Sequence, residues 1–354
     1  MISYNNIIVQ EDLKDIVSRK DLKFEKLKNT TILVTGANGM LATYMIYTLL
    51  KLNEIYHYNI KIIALARNKE KAKARLKDNI DSKYLNLLIQ DVCEPINISE
   101  NIDYIIHAAG SASPQFIIND PVGIIAANTK GTFNVFELGR KKKIKKILFL
   151  STREVYGKIS DEIDDISEEH IGALDPLDSR SCYPESKRMA ENICKSYLKQ
   201  YNTPYNIVRI AHSYGPGMEI NQDGRVMADL ISDVVNNRNI ILKSHGVDIR
   251  AFCYINDAVV GMFLVMLKGK IGEAYNLANE TEPIQIKELA HLLVESFKDK
   301  RLNVEFKISK NSGVGYSKFK RVKLNTKKIE ELNWSPKVKL IDGIKRTVLS
   351  FNEN

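Results

Sequence analysis

The chain has 354 residues, of which 44% are hydrophobic and 27% charged, and its formal net charge is +9. These proportions are those of a folded protein, and the length allows one large domain or a main domain with a smaller second lobe. No apolar run is long enough to span a bilayer, and the polar residues near the start lead us to expect no signal peptide and no membrane partner.

The cysteines and lysines narrow the choice of compartment and partners. The four cysteines are scattered without a C-x-x-C pair, so we expect neither a metal site nor a disulfide framework, and a reducing cytoplasm fits best. Only residues 140–146 form a dense basic block, and few aromatic residues lie near it. This pattern favours an anionic small-molecule substrate over a nucleic acid.

Residues 1–28 precede the first predicted strand. Leu13, Ile16 and Val17 recur at helical spacing, which predicts a short amphipathic helix that packs on the core. We interpret this segment as an N-terminal helical extension with no chemistry of its own.

The stretch 30–42, TTILVTGANGMLA, predicts a strand, a glycine turn and the start of a helix. Such a turn lets backbone N–H groups approach a pyrophosphate, and the helix N-terminus adds partial positive charge. An ordinary turn between a strand and a helix is the alternative. The residues that we expect to contact a dinucleotide are Gly36, Asn38, Gly39 and Met40.

The second predicted strand, 60–66, is followed by Arg67. An acidic residue at this point would bind the hydroxyls of the adenosine ribose and favour NAD. Arg67 can instead face a 2′-phosphate, so we expect NAD(P), with NADP slightly favoured over NAD. A surface arginine is the alternative.

Two further strands are predicted to end beside the cofactor. The strand 85–89 is followed by Asp91 and Val92, which we expect near the adenine. The next apolar stretch ends in Ala108 and Ala109, whose small side chains let the backbone pass close to a flat cofactor.

The order of these stretches predicts the fold class. After the strand that includes 103–109, the sequence predicts a helix over 121–141 and a buried strand over 146–150. Strands and helices therefore alternate, which predicts an α/β protein with a Rossmann-type, doubly wound parallel sheet and a smaller C-terminal substrate-binding lobe.

Tyr183 and Lys187 are separated by one helical turn, and Pro184 suits the start of that helix. A phenol with a pKa of ~10 is a poor base at neutral pH, and a nearby ammonium should lower that pKa. With Thr152 at the end of the preceding strand, the pair predicts an acid/base that moves a hydroxyl proton while hydride passes to a nicotinamide.

Together these segments resemble the extended short-chain dehydrogenase/reductases that modify nucleotide sugars, over nearly all of the chain from about residue 30 to residue 343. They look most like the UDP-glucuronate decarboxylases and their dehydratase relatives. The stretches that carry the resemblance are STREVYG at 151–157, SCYPESKRMAE at 181–191, RIAHSYGPGM at 209–218, DGRV at 223–226, RAFCYINDAV at 250–259 and NWSP at 333–336.

The resemblance implies a nucleotide-diphosphate sugar as substrate and a role for several residues. Tyr183 and Lys187 would be the catalytic pair, Thr152 would bond the sugar hydroxyl, and Glu154 would be an acid/base of the site. The residues expected on the substrate side are Ser111, Arg153, His212, Arg225, Arg250 and Tyr254. Arg225 and Arg250 are the expected phosphate contacts, because an arginine fork donates two hydrogen bonds at once, and surface ion pairs are the alternative.

Three features depart from the family's pattern. The second strand lacks the acidic residue typical of NAD enzymes. His212 stands where relatives usually have an asparagine that contacts the sugar or the diphosphate, and a core histidine is the alternative. Arg153 stands where 4,6-dehydratases have an aspartic acid that protonates the departing C6 hydroxyl. An arginine cannot donate that proton, which weakens the dehydratase hypothesis.

The resemblance implies oxidation at C4 as a first step, after which several outcomes are open. A carboxylate on C5 would leave as carbon dioxide, and a UDP-glucuronate decarboxylase-like enzyme is our first hypothesis. An NDP-hexose 4-epimerase and an NADPH-dependent 4-ketoreductase are alternatives, and a 4,6-dehydratase is less favoured. A non-enzymatic NAD(P)-binding regulator is a further alternative, but such proteins commonly lose the tyrosine or the lysine, and both are present here.

For the domain organisation we expect an NAD(P)-binding domain over 29–211 that residues 240–281 rejoin. The substrate-binding lobe would then consist of 212–239 and 282–354. Within it, Gly313, Val314 and Gly315 are expected in a loop that closes over the nucleotide.

The resemblance also implies a homodimer. Extended members of this superfamily usually pair through two helices, which here would span about 121–141 and 183–201. Both stretches have apolar faces, which is all that the sequence itself contributes to this expectation.

Overall fold

The computed structural model describes residues 2–160, 162–221, 223–308 and 323–352. Its centre is a sheet of seven strands, all of them parallel. The strands are β1 (Thr31–Thr35), β2 (Lys61–Ala66), β3 (Leu85–Ile89), β4 (Tyr104–His107), β5 (Lys146–Thr152), β6 (Tyr205–Ile210) and β7 (Ala274–Leu277).

In space the strands follow the order β3-β2-β1-β4-β5-β6-β7. The chain thus starts in the middle of the sheet and winds outward in both directions, which confirms the predicted Rossmann topology. In such sheets ligands bind outside the carboxyl ends of the strands, where the winding direction reverses. Here that point lies between β1 and β4.

Helices cover both faces of this sheet and build the lobe beside it. They are α1 (Ile7–Ser18), α2 (Met40–Tyr56), α3 (Lys69–Arg75), α4 (Pro114–Asn119), α5 (Pro121–Lys142), α6 (Cys182–Tyr201), α7 (Val226–Val235), α8 (Ile255–Lys268), α9 (Ile286–Ser296), α10 (Lys327–Glu330) and α11 (Leu340–Leu349). Short 3₁₀ turns at Arg153–Tyr156 and Ser179–Ser181 lie beside the candidate site.

Successive residues of each strand point to opposite faces of the sheet. Ile32 of β1 packs in one hydrophobic cluster with α2 and α8, whereas Leu33 packs in a second cluster with Phe136 of α5 and Cys194 of α6. Because both faces are covered, the strands are apolar almost throughout, as in KIIALA of β2. This explains why the sequence predicted the strands well.

The lobe contains α7, α9 and α11 together with short strand pairs. Ile240–Leu242 pairs with Val304–Phe306, and Ile249–Arg250 pairs with Ile284–Gln285. Residues 240–250, which we expected in the cofactor domain, therefore pair with the lobe segment, while α8 and β7 pack on or join the main sheet. Two more pairs are Ser213–Tyr214 with Cys253–Tyr254 and Asp165–Ile166 with Lys323–Leu324. The expected loop at Gly313–Gly315 lies outside the described residues.

The predicted N-terminal helix is α1, and a buried polar cluster ties it to the rest of the protein. Asp12 of α1 accepts hydrogen bonds from Tyr254 Oη at 2.8 Å and from Arg346 Nη2 of α11 at 2.8 Å. The extension is therefore part of the core. Among the residues that the structure describes, no helix has both the length and the apolarity needed to cross a bilayer.

Candidate functional site

The glycine turn after β1 forms a cradle in which a side chain has no room. Gly36 has φ +66°, and a Cβ placed on it would lie 2.7 Å from the carbonyl oxygen of Ala108 and 2.8 Å from the nitrogen of Ala109. The first turn of α2 contains no acidic residue, and its N-cap residue, Gly39, makes no side-chain cap. A close backbone approach beside an unshielded helix N-terminus fits the pyrophosphate of a dinucleotide. Asn38 and Met40 are half-buried at the same turn.

Arg67 leaves β2 with 70% of its side chain exposed, and its Nη1 lies 3.7 Å from Oδ2 of Asp91. Asp91 also accepts a hydrogen bond from the backbone N–H of Cys93 at 2.9 Å. Beside it, Val92 packs against Gly131 of α5, where a Cβ would come within 2.7 Å of the valine. Arg67, which we expected to favour NADP, is thus paired with Asp91, which follows β3. The carboxylate of Asp91 could itself bind the ribose hydroxyls of NAD.

A buried hydrogen-bond chain fixes the ends of β1 and β4. His107 Nδ1 lies 2.7 Å from the hydroxyl of Thr35, which also accepts from the N–H of Ala109, and its Nε2 lies 3.0 Å from the hydroxyl of Thr132. Thr132 donates to the carbonyl of Asn128, so Nε2 carries the proton. Burial and, to a lesser extent, the charge of Lys187 lower the pKa of His107 to about 3, so the ring is neutral.

Tyr183 and Thr152 meet at the carboxyl end of β5. Burial raises the pKa of Tyr183, and the charge of Glu154 raises it further. A hydrogen bond with Thr152 and the charges of Arg225 and Arg180 oppose this effect. The pKa of Tyr183 is therefore raised overall, whereas we expected it to be lowered, and the largest effects that lower it come from Thr152, Arg225 and Arg180.

Lys187 lies one turn after Tyr183 on α6 and is almost completely buried. Its Nζ donates to the carbonyl of Leu150 at 2.9 Å and lies 4.7 Å from the centre of the Phe149 ring. Burial lowers the pKa of this ammonium to about 8, although the charge of Glu191 opposes the effect. The lysine is thus held by the strand that also carries Thr152.

Glu154 is held by an arginine that sequence reasoning missed. Arg180 Nη1 donates to Oε2 at 2.5 Å and Nη2 donates to Oε1 at 2.9 Å, with both side chains less than one third exposed. Arg180 stands three residues before Tyr183, a spacing that could have pointed to it. Both oxygens of the expected acid/base are therefore engaged in this structure.

Arg153 and His212 lie side by side, with Arg153 Nη1 3.4 Å from His212 Nε2. His212 has φ +45°, and its ring stacks against Phe252 with a centroid distance of 5.8 Å. The two residues that depart from the family pattern are therefore neighbours in space. Arg153 places a permanent positive charge directly after Thr152.

Residues 223–225 lie against the segment that follows β4. Arg225 donates from Nε to Oδ1 of Asp223 at 2.5 Å and from Nη2 to Oδ2 at 3.0 Å. Ser113 Oγ donates to the carbonyl of Asp223 at 2.9 Å. Since Arg225 also lowers the pKa of Tyr183, the lobe brings this arginine to the tyrosine.

The other expected substrate residues are placed differently. Ser111 is half-buried, and its Oγ accepts a hydrogen bond from the N–H of Ser113 at 3.3 Å. It therefore lies in the segment that contacts residue 223 through Ser113. Arg250 pairs with Asp248 at 3.7 Å in the lobe. Tyr254 is fully buried with its hydroxyl on Asp12, so its side chain cannot line an open cleft, and that expectation is corrected.

Taken together, the described residues offer a buried tyrosine, a buried ammonium, two arginines whose charges act on the tyrosine and a glycine turn with close backbone packing. Within these same residues, no group of three or more His, Cys, Asp or Glu side chains could hold a metal ion. Such a set can move a hydroxyl proton and bind an anionic substrate.

The family model described as "NAD dependent epimerase/dehydratase family" matches residues 32–278. UDP-glucuronic acid decarboxylase 6 of Arabidopsis thaliana is 33% identical over 317 residues, which cover 89% of this chain and 87% of that protein. The dTDP-D-glucose 4,6-dehydratase of Homo sapiens is 28% identical over 339 residues, covering 91% of this chain and 90% of that protein.

A solved structure supports the fold. UDP-glucuronic acid 4-epimerase from Bacillus cereus, in complex with UDP-glucuronic acid and NAD, superimposes with a TM-score of 0.76 at 21% identity, covering 91% of this chain and 99% of that one. At this identity the likeness concerns the fold alone, whereas the family match and the decarboxylase identity carry the assignment. The chain is therefore an enzyme of the NAD-dependent epimerase/dehydratase family, whose members modify nucleotide sugars.

Proposed function

We propose that the enzyme acts on a nucleotide sugar with a carboxylate at C6, in the manner of a UDP-glucuronate decarboxylase. The observation that carries this proposal is Arg153, a cation that directly follows Thr152 and lies beside His212. A carboxylate matches an arginine fork in both charge and geometry. The Arabidopsis thaliana decarboxylase, the more similar of the two relatives above, supports the same substrate class.

The residues proposed to hold NAD(P) are those of the cradle and of the neighbouring strand ends. They are Gly36, Asn38, Gly39 and Met40 for the pyrophosphate, Arg67, Asp91 and Val92 for the adenosine, and Ala108, Ala109, Tyr183 and Lys187 for the nicotinamide side. When bound, this cofactor accepts a hydride from the sugar and can return it.

Tyr183 is the proposed acid/base for the C4 hydroxyl, and Thr152 orients that hydroxyl. Lys187, whose pKa is about 8, is mostly protonated at neutral pH and favours negative charge at the tyrosine. The bond from Nζ to the carbonyl of Leu150 keeps the ammonium in place, because it ties α6 to β5.

Decarboxylation follows from the chemistry of a 4-keto uronate. Its carboxylate is β to the keto group, so the C5–C6 bond breaks, carbon dioxide leaves, and the electron pair passes to the C4 oxygen as an enolate. Tyr183 then donates a hydrogen bond to that oxygen. Arg153 holds the carboxylate until it leaves. Glu154 is ion-paired with Arg180 in this structure, so it can protonate C5 only after Arg180 releases it and it has taken up a proton from solvent.

Epimerisation of the same uronate at C4 is the second candidate. The Bacillus cereus protein of similar fold is a 4-epimerase that holds UDP-glucuronic acid and NAD. A carboxylate-binding arginine therefore fits both reactions. The fate of the carboxyl carbon decides between them.

The proposal is tested by incubating the purified protein with UDP-glucuronate, UDP-glucose or dTDP-glucose and identifying the products by mass and NMR. We expect a pentose nucleotide from UDP-glucuronate and no product from the two neutral sugars. A 4-epimer of unchanged mass would replace decarboxylation by epimerisation, and a dehydrated product from dTDP-glucose would contradict the role of Arg153.

The preference for NADP is a separate proposal that depends on Arg67. Its exposed guanidinium supports binding of a 2′-phosphate, whereas its pairing with Asp91 favours the ribose hydroxyls of NAD. We expect Arg67→Ala to weaken NADP binding about tenfold and to change NAD binding little. Lys69→Ala at the start of α3 is the control. An unchanged ratio of the two dissociation constants would remove the preference, and with it the support for a 4-ketoreductase.

A homodimer is proposed from the exposed apolar side chains on the outer face of α5 and α6. Val122, Phe133 and Met189 expose 77%, 54% and 53% of their surface. Burying such residues against a second copy would stabilise the pair. We expect Phe133→Asp to give a monomer by light scattering, whereas Val247→Asp on the lobe should not. A wild-type monomer would contradict this proposal.

Two coarser expectations remain proposals. The division into an NAD(P)-binding domain and a substrate lobe is supported by the strand pairs that join 240–250 to 284–306, with 240–250 counted in the lobe rather than in the cofactor domain. A reducing, cytoplasmic setting is supported by the four cysteines, all of which are free thiols.

A further inference from the structure

Glu191 lies one helical turn after Lys187 on α6 and is held on two sides. Ser151 Oγ donates to its Oε1 at 2.6 Å. Arg209 of β6 donates from Nε to both oxygens, at 3.1 and 3.2 Å, and from Nη2 to Oε2 at 2.7 Å. Only 12% of the glutamate side chain and 14% of the arginine side chain are exposed.

Arg209 is itself fixed by groups on the far side. Its Nη1 donates to Tyr156 Oη at 3.0 Å and to the carbonyl of Glu168 at 2.7 Å. Tyr156 in turn donates to Oδ1 of Asn276 in β7 at 2.5 Å. The carboxylate of Glu191 therefore has one orientation, which β5, β6 and β7 determine together.

This orientation matters because of what Ser151 connects. Leu150, the residue before it, accepts the hydrogen bond of Lys187 Nζ, and Thr152, the residue after it, bonds Tyr183. The hydrogen bond from Ser151 to Glu191 thus ties the carboxyl end of β5 to α6, the helix that carries Tyr183 and Lys187.

Glu191 is also the carboxylate that acts on the buried ammonium. The charges of Glu191 and Cys194 on α6 act on Lys187, and Lys187 in turn acts on neutral His107 of β4. Tyr183 lies one turn earlier on the same helix, and Arg209 of β6 is paired with Glu191. Burial lowers the pKa of Lys187, and the charge of Glu191 raises it.

We propose that Glu191 is a positioning residue of the reaction, which holds the end of β5 through Ser151 and balances the charge of the buried Lys187. The inference rests on the proposed roles of Tyr183 and Lys187 but not on the identity of the sugar. An ion pair between Glu191 and Arg209 that serves stability alone is the competing explanation.

Two variants separate these explanations, because both break the same ion pair. Glu191→Gln removes the anion beside Lys187, so the pKa of Lys187 should fall by about one unit or more. Arg209→Gln keeps that anion and removes a cation, so the pKa should stay the same or rise. If the pair serves stability alone, both variants should lower the free energy of unfolding by similar amounts, and neither should change the pH dependence of kcat. Glu185→Gln, on the exposed side of the same helix, is the matched control.

The first readout is the pKa of Lys187, measured by NMR on ¹³C-lysine-labelled protein without substrate. The Lys187 signal is assigned by comparison with the Lys187→Arg variant. The second readout is the alkaline limb of the pH–kcat profile on whichever nucleotide sugar is turned over. We expect the limb near pH 8 to move down in Glu191→Gln, not to move down in Arg209→Gln, and to be unchanged in Glu185→Gln. Equal shifts in the two ion-pair variants, or no shift in either, would overturn the proposal.

The outcome is separable from that of the proposed function. If no uronate is converted but Lys187 titrates as expected in the variants, the substrate assignment fails and the inference stands. If Glu191→Gln does not fold, Ser151→Ala removes one of the two anchors of the carboxylate. That variant should lower kcat more than it changes KM, and an unchanged kcat would count against the inference.

Discussion

Replacing Gly36 by alanine tests whether the cradle is built as the structure describes. Alanine at φ +66° costs about 1–2 kcal/mol, because the Cβ crowds the following carbonyl oxygen. The new Cβ would also lie 2.7 Å from the carbonyl oxygen of Ala108, a backbone atom that cannot rotate away. Separating β1 from β4 to relieve this contact costs about 1–3 kcal/mol more.

We therefore expect Gly36→Ala to lower the free energy of unfolding by about 3 kcal/mol and to abolish cofactor binding. Gly39→Ala is the matched control. Its φ is −74°, and its Cβ would meet only the carbonyl oxygen of Gly36 at 3.3 Å, so its stability should change by less than about 1 kcal/mol. Urea unfolding and calorimetric titration with NAD and NADP measure both effects. Equal stability of the two variants would refute the reasoning.

Three further predictions concern the site. Tyr183→Phe should reduce turnover by a factor of about 10³ while cofactor binding is kept, and retained turnover would remove the tyrosine from the reaction. Arg153→Ser should raise the KM for UDP-glucuronate about tenfold, and unchanged kinetics would refute its contact with the carboxylate. Acid should destabilise the protein through His107. Its pKa is about 3 when folded and ~6.5 when unfolded, so its contribution is complete above pH 6.5 and declines by about 2 kcal/mol at pH 5. Unfolding of His107→Gln should depend less on pH over this range, and parallel curves for the two proteins would contradict this.

Much of the fold followed from local pattern. The strands are buried on both faces, so β2 and β5 are nearly unbroken apolar runs bounded by turns. The helices α5 and α6 each have a proline in their first turn, where proline is tolerated. The spacing of Tyr183 and Lys187 placed both on one helix for the same reason. These features depend on neighbours within a few residues, which a sequence displays directly.

Other features depend on contacts that no short segment contains. Tyr254 was expected at the substrate, but its hydroxyl bonds Asp12, which lies 242 residues away in the sequence. The pairing of residues 240–250 with the lobe depends on strands at 284–306. The pKa of Tyr183 is raised by burial and by the charge of Glu154, and Thr152 and two arginines oppose this, so the spacing to Lys187 alone could not determine it.

Release of the carboxyl carbon as carbon dioxide distinguishes decarboxylation from epimerisation. UDP-glucuronate labelled at C6 is incubated with the purified enzyme, with NAD or NADP present, and labelled carbon dioxide is collected. We expect label in the gas phase and a pentose left on the nucleotide, and we expect both to form about 10³-fold more slowly with Tyr183→Phe. Label that stays entirely in a nucleotide sugar would contradict decarboxylation.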